Sequence, residues 1–121
     1  MECQVVGVPL YQSKAEFFRT LGHPVRIRVL ELLGDGPKAV RDLLADVEIE
    51  ASSLSQQLAV LRRAGVVVSY RDGAAVMYAL SGPDVAEVMA AARRFLTAMI
   101  AGQAELLDEL RDARAATAAA E

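Results

Sequence analysis

Most of the side chains in this 121-residue chain that could recognise another molecule lie between Ser52 and Arg71. Ser52, Ser53, Ser55, Gln56 and Gln57 are uncharged groups that both donate and accept hydrogen bonds, and a glutamine can pair in bidentate fashion with N6 and N7 of adenine. Arg62 and Arg63 follow in the same run, and Arg71 comes a few residues later. Taken singly, the serines read as capping residues and the glutamines as a solvated face. The cations that follow the polar stretch favour a nucleic acid instead, because guanidinium groups hold phosphates while short polar side chains read base edges.

Little else in the chain supports chemistry. It has one histidine, His23, and one cysteine, Cys3. With no base and nucleophile to pair, no Gly-x-Gly-x-x-Gly turn and no Walker loop, the sequence reads as a protein that is not an enzyme. Asp108 and Glu109 read as a solvated helix face. A lone thiol forms no disulfide within the chain and no multi-thiolate metal site within one subunit, which points to a reducing compartment. His23, placed before Pro24 at a helix boundary, reads as a cap. As metal ligands Cys3 and His23 are minor candidates that would need groups from both subunits. The expected cofactor is therefore none, or at most a divalent transition metal held weakly or between subunits. Oxidation of Cys3 would require a partner thiol across a dimer.

Hydrophobic spacing supplies the elements that must carry these residues. Tyr11, Ala15, Phe18 and Leu21 follow a helical period that ends at Gly22. Pro24 opens a second helix that runs to Gly34. A short third helix spans about 40–47, and a fourth about 51–64, with Leu54, Leu58 and Leu61 as an inward stripe and Gly65 as its stop. That stripe turns Ser52, Ser53, Ser55, Gln56 and Arg63 outward and leaves Gln57 at the border. Ser53 and Gln56 have the spacing of a capping box. Runs 66–71 and 74–80 form a hairpin about Asp72-Gly73. A long helix over 83–117 carries Val85, Ala92, Met99 and Leu106 at heptad spacing, with Met89 and Leu96 beside them. This stripe, shared with Phe17 and Phe18 of the first helix, is expected to be the seam of a homodimer.

Composition agrees with a mainly α fold (α+β). Hydrophobic residues make up 54% and charged residues 24%, which excludes a wholly disordered chain. The net charge of -3 argues against a polyanion ligand until its distribution is considered. Residues 51–80 carry 3 basic and 1 acidic side chains, whereas the flanking segments are acidic. No apolar stretch is long enough to cross a bilayer, so the chain reads as cytoplasmic, with no membrane partner.

The stretch LSQQLAVLRRAGVVVSYRDG, with HPVRIRVLELL before it and VMYAL after it, resembles the winged helix-turn-helix repressors of the ArsR/SmtB family over about residues 12–100. The resemblance implies a homodimer on an imperfect palindromic operator of double-stranded DNA, modulated by a metal, a redox signal or a co-regulator protein. It places Ser55 at the family's DNA-contacting serine, Gln57 at its histidine, Arg71 at the wing arginine and Tyr78 at the strand tyrosine. Lys38 joins these as a candidate DNA contact. Ala74 stands where a wing Lys or Arg is common. The family's thiolate pair would fall near residues 40–44, where there is no cysteine. Its final-helix ligand positions fall on Asp84, Ala86, Thr97 and Ile100, or two residues earlier, and neither register holds a histidine.

The expected order is α1-α2-α3-α4-β1-β2-α5, with an arm over 1–10, the winged domain over 11–117 including the dimer helix 83–117, and a frayed tail over 118–121. A second reading keeps the same fold as a partner-binding module with little affinity for DNA.

Overall fold

The computed structural model describes residues 7–120, so Cys3 and most of the arm lie outside the described residues. Its elements are α1 (Leu10–Leu21), α2 (Pro24–Leu33), β1 (Lys38–Ala39), α3 (Val40–Val47), α4 (Ala51–Arg63), β2 (Val67–Asp72), β3 (Ala75–Leu80) and α5 (Pro83–Ala120). Mostly helical with one small antiparallel sheet, this is the winged helix-turn-helix arrangement. The chain divides into two compact units, one ending at Ala86 and the other beginning at Glu87.

Local chemistry explains where the helices begin and end. His23 caps α2: its Nδ1 accepts a hydrogen bond from the Val25 N–H at 3.1 Å, and Pro24 occupies a first-turn position where no donor is needed. The bland reading of His23 is therefore the one its geometry supports. α4 ends in a Schellman motif. Gly65, at φ +77°, donates to Arg62 O, and Val66 donates to Leu61 O at 3.1 Å. That turn delivers the chain directly into β2. α3 ends less comfortably, on Glu48 at φ 59°, a left-handed conformation that favours glycine.

Among the described residues thirteen buried apolar side chains form the core, including Val29, Leu30, Leu43, Leu54, Leu58, Leu61 and Val67. These bring together one face of each helix from α2 to α4 with the inner face of the sheet. Fully burying a leucine is worth about 1.5–3 kcal/mol, so the three leucines of α4 fix the rotation of that helix and the direction of its outer face.

Four expectations are corrected. The sheet has three strands in the order β1-β3-β2, not two, because Lys38 and Ala39 pair antiparallel with Tyr78 and Met77. The hairpin loop is Gly73-Ala74 rather than Asp72-Gly73, since Asp72 pairs with Ala75. Positive φ at Gly73 alone matches the sign pattern of a type II′ turn, in which only the first loop residue needs it. The Ser53–Gln56 capping box does not form, because α4 already starts at Ala51, its N-cap is Glu50 and no side chain caps it. The last helix runs to Ala120, past the boundary expected at 117.

Candidate nucleic-acid interface

α3 and α4 are joined by Glu48, Ile49 and Glu50, a connection short enough to hold the two helices as a helix-turn-helix. With Leu54, Leu58 and Leu61 buried, α4 exposes Ser52, Ser55, Gln56, Arg62 and Arg63 and leaves Ser53 and Gln57 half-buried. The two arginines occupy its last turn, where they also complement the negative end of the helix dipole.

The wing is a hairpin tied at its base. Ser81 donates from both its N–H and its Oγ to Val66 O, each at 3.0 Å. Cross-strand pairing of Ser69 with Tyr78 and of Arg71 with Val76 puts these residues on one face of the sheet. Near the core that face is buried; toward the tip it emerges with Arg71 exposed.

Between the wing, α3 and α4 lies an open groove of about 550 Å³. Ser55 and Arg62 line it from α4, Arg41 from α3, and Tyr78, Val76 and Ala74 from the hairpin. Ser55, Arg62 and Tyr78 are thus brought together. Arg71 shares the sheet face of Tyr78 without lining the groove, and Lys38, half-buried on β1, pairs in register with Tyr78. Tyr78 itself is corrected. At 8% exposed it is a wall of the groove and part of the core, not a side chain that protrudes toward a ligand. Arg41 was missed: in sequence it is one charged residue on the outer face of a short helix, and nothing in its spacing distinguishes it from a solvated one.

The expected dimer residues divide in the same way. Phe18 is exposed, and Phe17, half-buried, meets it edge-on with ring centroids 5.3 Å apart. Ala92, Leu96, Met99 and Leu106 are exposed and Met89 is half-buried. Val85 is corrected, because at 8% exposed it is already covered by its own chain and has little surface to give a partner.

Among the described residues no three His, Cys, Asp or Glu side chains stand together in a way that would hold a metal ion. His23 already uses Nδ1 as a cap. Among the described residues, no helix is long and apolar enough to cross a membrane.

Comparison with known proteins settles the family. Residues 23–69 match the model of the bacterial regulatory proteins of the arsR family. Over 110 residues the chain is 52% identical to the uncharacterized HTH-type transcriptional regulator Rv0081 of Mycobacterium tuberculosis, covering 90% of this chain and 96% of that one. The chain belongs to the ArsR family of transcriptional regulators. The crystal structure of Rv0081 superposes on this ArsR-family chain with a TM-score of 0.73 and 53% identity, over 80% of this chain and 98% of the other. The biofilm growth-associated repressor of Agrobacterium fabrum is 36% identical over 90 residues, covering 71% of this chain and 77% of that one. As a member of this family the chain is a transcriptional regulator rather than an enzyme.

Proposed function

We propose that this regulator is a cytoplasmic repressor that binds an imperfect palindromic operator as a homodimer, with α4 in the major groove and the wing against the backbone. One observation carries the reading. α4 buries its three leucines completely enough to fix its rotation, and the face left outside consists of Ser52, Ser55 and Gln56 followed by Arg62 and Arg63. Short polar groups at the N-terminal end of the helix suit base edges, and cations at its C-terminal end suit phosphates. The repressor sign is taken from the name of the Agrobacterium relative.

Dimerisation rests on α5. Its exposed side chains Phe95, Leu96, Met99, Ile100, Leu106 and Leu110 make an apolar stripe of the kind that a partner covers. A two-fold pair of winged domains would present two copies of α4 to successive turns of the major groove.

Fluorescence anisotropy of the full chain against its own promoter fragment and a scrambled one, across a salt series, tests the proposal. Preference for the promoter that weakens linearly with the logarithm of salt concentration is the expected result. Equal and weak binding to both fragments would overturn it in favour of a partner-binding module. Repeating the titration with nickel, zinc or a thiol oxidant identifies the class of effector.

A further inference from the structure

The groove between α3, α4 and the wing has a composition unlike the rest of the chain. Its lining contains two arginines, Arg41 and Arg62, and no carboxylate, although acidic residues outnumber basic ones 16 to 13 overall. Among the described residues neither arginine forms an ion pair; the pairs present are Glu16–Arg19, Arg28–Glu31 and Asp108–Arg111. Both guanidinium groups belong to exposed residues, and Ser55 of α4 adds a hydroxyl to the lining. The remaining walls, such as Ala59, Val76 and Leu58, are apolar.

We propose that this groove seats one stretch of DNA backbone, with a phosphodiester held by Arg41, Arg62 and the Ser55 hydroxyl and the flanking deoxyriboses against the apolar walls. The occupant follows from charge and shape together. A nucleic-acid strand combines a monoanionic phosphate with a sugar whose carbon face is apolar, and the groove combines two cations with apolar walls. The proposal also accounts for Ala74. The hairpin tip offers the groove a methyl group where a cation is common in the family, and the missing charge is supplied across the groove by Arg41 of α3. The helix-turn-helix thus contacts DNA through its first helix as well as through α4. This inference rests on the DNA-binding reading above.

Arg41→Gln removes the charge at an exposed position and keeps most of the side chain's length. Its titration against the promoter should show about hundredfold weaker binding, roughly tenfold per subunit at the low end for a lost charge-assisted hydrogen bond, and a similar loss on scrambled DNA. The slope of log affinity against log salt should become shallower by about 1.8, the loss of one neutralised phosphate in each half-site of the dimer, and Arg41→Lys should restore the slope. On promoter fragments carrying one uncharged methylphosphonate at a time, the native protein should be sensitive at a backbone position in each half-site where Arg41→Gln is indifferent. Unchanged affinity and slope in Arg41→Gln, with the native protein still preferring its promoter, would overturn the seat and leave the DNA reading intact. Failure of the native protein to prefer its promoter would overturn that reading itself. If the Arg41 charge altered only competition by free inorganic phosphate at constant ionic strength, and not DNA affinity, the groove would be a site for a small anion and the proposal would fall.

Discussion

Replacing Leu96 and Met99 together by alanine is the sharpest test of the α5 seam. In the single chain Leu96 is 53% exposed and Met99 45% exposed, so each still has about half its side-chain area to bury against a second copy. Full burial of a Leu or Met is worth about 1.5–3 kcal/mol, so the half that remains is worth about 1 kcal/mol per side chain. A two-fold interface counts each residue twice. Four truncated side chains then weaken the dimer by about 4 kcal/mol, a rise in its dissociation constant on the order of a thousandfold. Alanine has the highest helix propensity, so the double variant keeps α5 helical and the loss is one of contact rather than of secondary structure. Sedimentation velocity over a wide range of protein concentration measures the monomer–dimer midpoint, and circular dichroism checks the helix. Ala101→Ser, at an exposed position on the opposite side of α5, is the control and should leave the midpoint in place. A double variant whose midpoint matches the native protein, or a control that shifts as much, would refute the reasoning.

Other expectations concern the fold and the reading face. Gln56→Ala should change which operator sequence is preferred, whereas Arg71→Ala should weaken every DNA about equally and flatten the salt dependence; anisotropy on a panel of operator variants separates the two. His23→Ala removes the α2 cap and should cost about 1 kcal/mol in urea unfolding. Leu58→Ala, at a core position 2% exposed, should cost about 2–5 kcal/mol, with the fall in the unfolding midpoint as its measure. Glu48→Gly should raise stability by about 0.5–1 kcal/mol, since φ 59° is strained for glutamate and ordinary for glycine; a lower melting temperature would count against the strain.

How far the sequence made this molecule legible depended on the range over which each signal acts. The helix rotations were readable because Leu54, Leu58 and Leu61 repeat at three- and four-residue intervals, and a spacing of that kind determines which face is buried. Gly65 was readable as a helix stop because its positive φ is a local demand of the Schellman turn. β1 was not readable. Two residues carry no period, and Lys38 and Ala39 become a strand only because β3 lies beside them. The hairpin shifted for a related reason: Asp-Gly marks a turn well, but pairing between Asp72 and Ala75 moves Asp72 out of the loop. Tyr78 and Val85 were assigned outward roles by analogy and by heptad spacing, and both are enclosed by packing that neither signal contains. Arg41 entered the site through the approach of the wing to α3, a tertiary fact with no trace in its neighbours. The serines and glutamines of α4 could be grouped from sequence because one helix carries them all.

The short β1 strand has a consequence for the order in which the molecule assembles and comes apart. Lys38 and Tyr78 pair across 40 positions of the chain, whereas Asp72 and Ala75 pair across three. Closing the longer loop costs about 2 kcal/mol more in chain entropy, offset by two residue pairs and by the core packing of Ala39, Val67 and Tyr78. The hairpin therefore zips early and locally, and its docking onto the strand ahead of α3 closes late. On warming, the pairing of β1 with β3 should be the first part of the sheet to open. Amide hydrogen exchange should then be faster at Ala39 than at Tyr70, and the distance between wing tip and α4, on which operator spacing depends, should lose definition at a lower temperature than the fold itself.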